Sequence, residues 1–334
     1  MAALGVTLPT LLDIARALGP DNKVAPIIEI LNETNEVLDD MVWLEGNLVT
    51  GHQATIRTGI PTPTWRKFNQ GVQPTKSTTV ATTFNTGMLR AFSEVDKDLA
   101  DLNGNTAAYR LSQDRPHLEG MSQEVADTLF FGNEGTEPEA FTGLSRYYND
   151  TTAASGGNII LGGSADTDNT SIYLVVWGEG KIHGIYPKGS TAGLKHKDMG
   201  EQILQDASDG SNTGRMIVYA SQYSWDAGLA VSDWRYCVRI ANIEKSALTK
   251  DAATGPDLPD LMYQAIEMIP SLNSGKAAFY MSRNTRSFVR RQCTNLTKNS
   301  TLAIENVGGK PLMTFQGIPL RRCDPLAADE ALVA

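Results

Sequence analysis

The stretch that most constrains this chain is Ala107 to Ser145, which reads as one long helix, a polar loop and a return to apolar sequence. Leu111, Leu118, Met121, Val125 and Leu129 recur near helical spacing and mark one face. Asn105 and Thr106 are candidate caps, and Gly132-Asn133 after Phe130-Phe131 is a stop signal. Pro116 lies inside the pattern, so the helix kinks there or begins there. Unkinked, such a helix spans roughly 38 Å at ~1.5 Å per residue. A rod that long with a modest apolar stripe suits the spine of a flat molecule better than the core of a compact enzyme.

The chain has 334 residues, enough for two subdomains or one elaborate domain. Its net charge of −9 and the lack of a basic tail argue against a protein whose task is gripping nucleic acid. They leave room for one that encloses nucleic acid without binding it. Cys237, Cys293 and Cys323 are odd in number and widely spaced, so they are expected to be reduced thiols in a cytosolic protein. No apolar run reaches the ~18 residues of a membrane-spanning helix. Asp13 and Arg16 interrupt the first apolar stretch, so no signal peptide is expected.

Leu8, Leu11, Leu12, Ala15 and Leu18 mark a short amphipathic helix stopped by Gly19-Pro20. A second apolar series runs from Val24 to Val42. This segment is an arm that must lie on something, either its own domain or a neighbour. Gln53–Gly59 and Ser77–Thr86 alternate, are Thr-rich and read as the legs of a long hairpin, with Val80, Thr82 and Phe84 on one face. Its tip, Ile60–Lys76, holds three prolines with Trp65, Arg66, Lys67 and Phe68. Those aromatics either fold back on the body or dock on a second subunit.

Further on, Ser171–Trp177 reads as a strand buried on both faces, with Lys181–Tyr186 as its hairpin partner. Thr191–Ala207 reads as holding a short helix, from Leu194, Met199, Ile203 and Leu204. Arg215–Tyr223 and Trp234–Ile243 read as a second hairpin. Leu258 to Ile269 is the cleanest helical stripe, Gly275–Ser282 a short buried strand, and Asn284–Asn295 a basic helix. Pro311–Arg322 supplies the last strands. The fold class is α+β.

Chemistry is sparse. His52, His117, His183 and His196 fall in no ligand-pair spacing, and no nucleophile elbow or phosphate loop occurs. Glu94, Asp96, Asp98 and Asp101 cluster ahead of the long helix, where carboxylates serve its dipole and caps. Asp166 and Asp168 begin like a calcium loop, but Ser171 and Trp177 occupy its glycine and glutamate positions. No catalytic, cofactor or metal residue is assigned. Arg286, Arg290, Arg291, Arg321 and Arg322 are either solvated faces or a patch for a neighbour's acidic groups.

The order of elements resembles a tailed-bacteriophage major capsid protein of the Hong Kong 97 type. Thr83–Asp101, Ala126–Leu144 with its FFGN and FTGL, Ala277–Gln292 and Pro311–Asp324 carry the likeness. The resemblance implies an N-terminal arm (1–47), an extended loop (48–87), a peripheral domain (88–150 with 300–334, spine helix 106–132) and an axial domain (151–299). It implies a non-enzymatic subunit that assembles with itself, as hexamers and pentamers, into an icosahedral shell around double-stranded DNA. Assembly is expected in the host cytoplasm, with scaffolding, portal and decoration proteins as further partners and no membrane. The subunit-contact residues expected on this reading are Leu11, Leu12, Trp65, Arg66, Lys67, Phe68, Arg290 and Arg291. An encapsulin-type compartment shell and a free-standing α+β enzyme are the competing readings.

Overall fold

The computed structural model describes residues 35–102, 106–163, 168–206, 214–250, 255–295, 302–307 and 310–333. The expected N-terminal helix with Leu11 and Leu12 lies outside them, as does Asp166. The contacts divide the described chain into two units, Met88–Val125 with Gly193–Asp226, and the rest.

The larger unit is built around β5 (Asn169–Trp177), which is buried at every position. One edge of β5 takes β10 (Lys276–Met281), antiparallel from Lys276↔Trp177 to Tyr280↔Tyr173. The other takes β9 (Cys237–Glu244), antiparallel from Asn169↔Glu244 to Val175↔Cys237. Beyond β10 come β13 (Ile318–Arg322), parallel to it, then β12 (Lys310–Phe315) and β11 (Leu302–Val307). Beyond β9 comes β4 (Ile159–Leu161). A strand with partners on both edges and side chains buried on both faces needs a continuous apolar run, and Ile172 to Trp177 supplies it. Helices α5 (Leu258–Met268) and α6 (Arg283–Asn295) cover this sheet, adding Leu258, Met262, Ala265, Val289 and Cys293 to its core. Asp257 caps α5 through the Asp260 amide, and Pro259 sits in its first turn.

Two expected hairpins are corrected here. β6 (Ile182–Tyr186) meets β5 only at Trp177↔Ile182, in parallel, because β9 fills that edge of β5 over 169–175. Its antiparallel partner is the end of β8 (Gly214–Val231), from Ile182↔Val231 to Ile185↔Gly228. β9 is likewise no hairpin mate of β8, since β5 and β4 hold its two edges.

The long hairpin is present as β2 (Gly51–Gly59) and the first part of β3 (Thr78–Asp96), paired from Gly51↔Asn85 to Gly59↔Thr78. Burial along its inner face rises toward the root: Val80 is exposed, Thr82 half-buried and Phe84 buried. β1 (Trp43–Glu45) runs parallel to β6, and α1 (Val37–Asp40) is tied to β10 and β13 through Asp40, which pairs with Lys276 and Arg321.

The smaller unit holds the rest of β3, α2 (Lys97–Asp101), the first five turns of α3 (Thr106–Phe131) and a β-ribbon. The ribbon corrects the helix expected at 191–207: β7 (Leu194–Asp206) pairs with β8 from Leu194↔Trp225 to Asp206↔Gly214. A bulge between Asp198 and Gly200, with Gly200 at φ +68°, shifts the alternation by one residue. That shift makes the spacing of Leu194, Met199 and Ile203 look helical. Arg110 clamps the ribbon, donating to Asp198 at 2.8 Å and Ser221 Oγ at 3.1 Å while lying over the Tyr219 ring. Val95, Ala100 and Tyr109 form a small core there.

Pro116 lies inside α3 without ending it. The helix stops at Gly132, whose amide bonds the Thr128 carbonyl at 2.9 Å. The chain then returns so that the Gly143 amide bonds the Gly132 carbonyl at 2.8 Å, just before α4 (Leu144–Tyr147). A Cβ on Gly143 would stand 2.5 Å from the Thr128 oxygen, which is why glycine follows Phe141-Thr142.

Candidate subunit-contact surfaces

The tip of the hairpin is the most exposed apolar feature among the described residues. Trp65 is 103% and Phe68 99% exposed, and Ile60 is exposed beside them. The tip keeps a defined turn: Gln70 N bonds Lys67 O at 3.3 Å, Asn69 adopts φ +63°, and Arg66 Nε donates to Gln70 O at 2.8 Å. So Trp65 and Phe68 do not fold back, and the four residues Trp65 to Phe68 stand free together. Residues 46–87 carry Arg57, Arg66, Lys67 and Lys76 and no carboxylate. On a chain of net charge −9 this makes the hairpin a cationic arm.

Arg290 and Arg291 lie on the exposed side of α6, and the Arg291 guanidinium rests over the Phe288 ring 4.0 Å from its centroid. The face of α6 toward β13 carries Arg286, beside Arg321 and Arg322.

The C-terminal tail is held by a buried ion pair that sequence reasoning missed. Arg239 pairs with Glu330, both side chains almost wholly shielded. Ser171 Oγ donates to Glu330 at 2.5 Å, and Arg239 also donates to Ser171 Oγ at 3.0 Å and to the Tyr148 carbonyl at 2.7 Å. Burial pulls the Arg239 guanidinium down, but Tyr173 and Glu330 outweigh it and leave it above its ordinary value. Asn242, at φ +57°, exchanges two hydrogen bonds with the Val333 backbone. No local signal could reveal this pair, whose members lie 91 residues apart.

At the hairpin root, His52 on β2 and His183 on β6 meet edge to face, ring centroids 5.7 Å apart. Both Nδ1 atoms are shut from solvent without a partner. Burial, then the neighbouring His52, pushes His183 down to about 4. The pair borders an open hollow of about 1040 Å³ that Glu45, Glu179, Asp233 and Arg235 also line. Among the described residues no group of three or more His, Cys, Asp or Glu side chains is placed to hold a metal. The three cysteines are buried and form no disulfide among the described residues. No described helix is long and apolar enough to cross a membrane.

The family model for major capsid protein GP7 matches residues 19–334. A chain in a structure of bacteriophage Epsilon15 is 38% identical, with 97% of each chain covered and a TM-score of 0.78. This chain belongs to the major capsid protein GP7 family. The bacteriophage JBD30 capsid is 8% identical over 97% of each chain, at a TM-score of 0.49. The SrpI encapsulin of Synechococcus elongatus is 12% identical over 72% of this chain and 97% of its own, at 0.44. At those scores neither bears on what the protein does. Nothing among curated proteins matches. The chain therefore has the α+β, Hong Kong 97-like capsid fold and is a structural component of an icosahedral phage head shell, built by self-assembly and located in the virion. The compartment-shell and enzyme readings give way to it.

Proposed function

We propose that the 48–87 hairpin is the arm by which one subunit grips the next, with Trp65, Arg66, Lys67 and Phe68 docking on an acidic face of a neighbouring copy. The carrying observation is the full exposure of Trp65 and Phe68 on a ribbon that has no core of its own. Leaving two large aromatics in water forgoes ~1.5–3 kcal/mol for each side chain. A shell subunit recovers it at every contact, and aromatic and Arg side chains are the residue types that dominate such contacts. Leu11, Leu12, Arg290 and Arg291 are further contact residues on this proposal, the shell being made of hexamers and pentamers around DNA. Separate scaffolding, portal and decoration proteins would complete the head.

The test is the double variant Trp65→Ala/Phe68→Ala. Shells should dissociate at clearly lower urea, consistent with a loss of ~2 kcal/mol or more per contact. Shells as resistant as wild type would remove the hairpin from the assembly contacts.

A further inference from the structure

Among the described residues, the face where α6 meets β13 carries more arginines than carboxylates. Arg286 and Arg290 are one helical turn apart on α6, and Arg321 and Arg322 end β13. The carboxylates nearby are committed. Asp324 pairs with Arg283, Glu36 with Arg321, and Asp40 with both Arg321 and Lys276. Arg322 is exposed and has no ion-pair partner among the described residues. Arg286 is half-buried, and its Nε is closed to solvent with no acceptor. Burial draws its guanidinium below the ordinary value, and the charges of Arg322, Arg321 and Arg290 push the same way against Glu36. A shielded charged donor without an acceptor, ringed by like charge, is a cost to the isolated subunit. An anion arriving at that point removes it.

We propose that Arg286 and Arg322 form an anion-binding site that is filled on assembly by an Asp or Glu side chain of a second copy of this chain. The choice of occupant follows from charge and geometry. The chain carries 38 acidic against 29 basic residues, and a shell brings copies into repeated contact. A planar guanidinium takes a carboxylate through two parallel bonds. Gripping a DNA backbone needs basic groups spread along successive phosphates, whereas here Arg286 and Arg322 lie close enough for the charge of one to be felt by the other. The inference rests on shell assembly but not on the hairpin docking proposed above.

The experiment compares wild-type protein with Arg286→Gln/Arg322→Gln, and with Arg322→Lys, which keeps charge but loses the fork. Unassembled subunits are melted, and intact shells are titrated with urea at 50 mM and 1 M NaCl. The double variant should melt at the wild-type temperature or above it, because repulsion is relieved. Its shells should dissociate at lower urea at 50 mM, with the gap closing at 1 M, and the Lys variant should fall between. Shells with the wild-type midpoint at both salts overturn the proposal. A parallel fall in subunit melting overturns it too, since the cluster would then serve the fold alone. So does binding of a short DNA duplex to subunits that the double variant loses. Trp65→Ala/Phe68→Ala shells should weaken at both salts, so failure of the hairpin reading and failure of this one are told apart.

Discussion

Two β segments of this protein draw on the same alphabet and meet opposite fates. β5 is buried at all nine positions, has partners on both edges, and ends in Trp177, whose indole donates to Tyr280 Oη at 2.7 Å. The β2–β3 hairpin uses Thr, Val and Ala in alternation, yet beyond Phe84 its inner face opens to water and its tip presents Trp65. The first segment is satisfied by its own chain. On the function proposed above, the second is satisfied by another copy. A shell subunit has to keep both kinds, because a chain that buried all its apolar surface would have nothing left to assemble with.

The comparison is broken most severely from the core side. Phe279→Ala removes a fully buried ring packed against Phe315, centroids 6.1 Å apart, in the cluster around β5. It should cost the unassembled subunit about 3–5 kcal/mol, read from urea unfolding. A cost below ~1 kcal/mol would mean that the sheet is not the stable part of the molecule. Glu330→Ala leaves Arg239 buried without its counter-charge, and about 3–5 kcal/mol of loss is expected on the same assay. Glu330→Gln keeps the Ser171 hydrogen bond and should lose less. If the two variants behaved alike, the lost charge alone would account for the effect and the Ser171 hydrogen bond would add nothing.

The root of the hairpin lies between these extremes, and pH is the probe for it. His183 is held near 4 in the folded chain against an ordinary value of 6.5. Its depressed value means that the folded state binds fewer protons between those limits. Its contribution is therefore whole above pH 6.5, falls as pH drops toward 4, and is flat below. His183→Phe should flatten that part of the stability–pH curve. A curve unchanged by the substitution would assign the acid sensitivity to carboxylates instead.

How much of this was legible in the sequence follows the range of the forces. The long helix, its Gly132 stop, the buried Ser171–Trp177 run and the α5 stripe are local signals, and each stands where periodicity and glycine put it. Beyond the β2–β3 hairpin the strand partners were not legible, because a strand's neighbour is decided by which edges are already taken. β9 and β10 claim β5, and β6 is left with β8. β7 was misread because the bulge at Gly200 interrupts the two-residue alternation and leaves Leu194, Met199 and Ile203 five and four residues apart. For the contact surface, residue type was legible in Trp65 and Phe68, but exposure was not. Whether an aromatic folds back depends on a groove elsewhere in the chain.

The smallest effect is the most telling. Trp65→Ala/Phe68→Ala should leave the unassembled subunit within ~0.5 kcal/mol of wild type, since neither side chain is shielded by anything in its own chain. Removing two aromatic side chains usually ranks among the costliest changes a protein can suffer, at about 3–5 kcal/mol each in a core. The cost comes from lost burial and from the cavity left behind, and at the tip there is neither. On the function proposed above, the same double variant in the shell has burial to lose. Equal unfolding curves for the subunits with unequal dissociation curves for the shells would locate the energy of Trp65 and Phe68 wholly between copies. A destabilised subunit would show instead that the tip rests on its own body in solution, and the division between a self-sufficient core and an arm awaiting a partner would fail at that point.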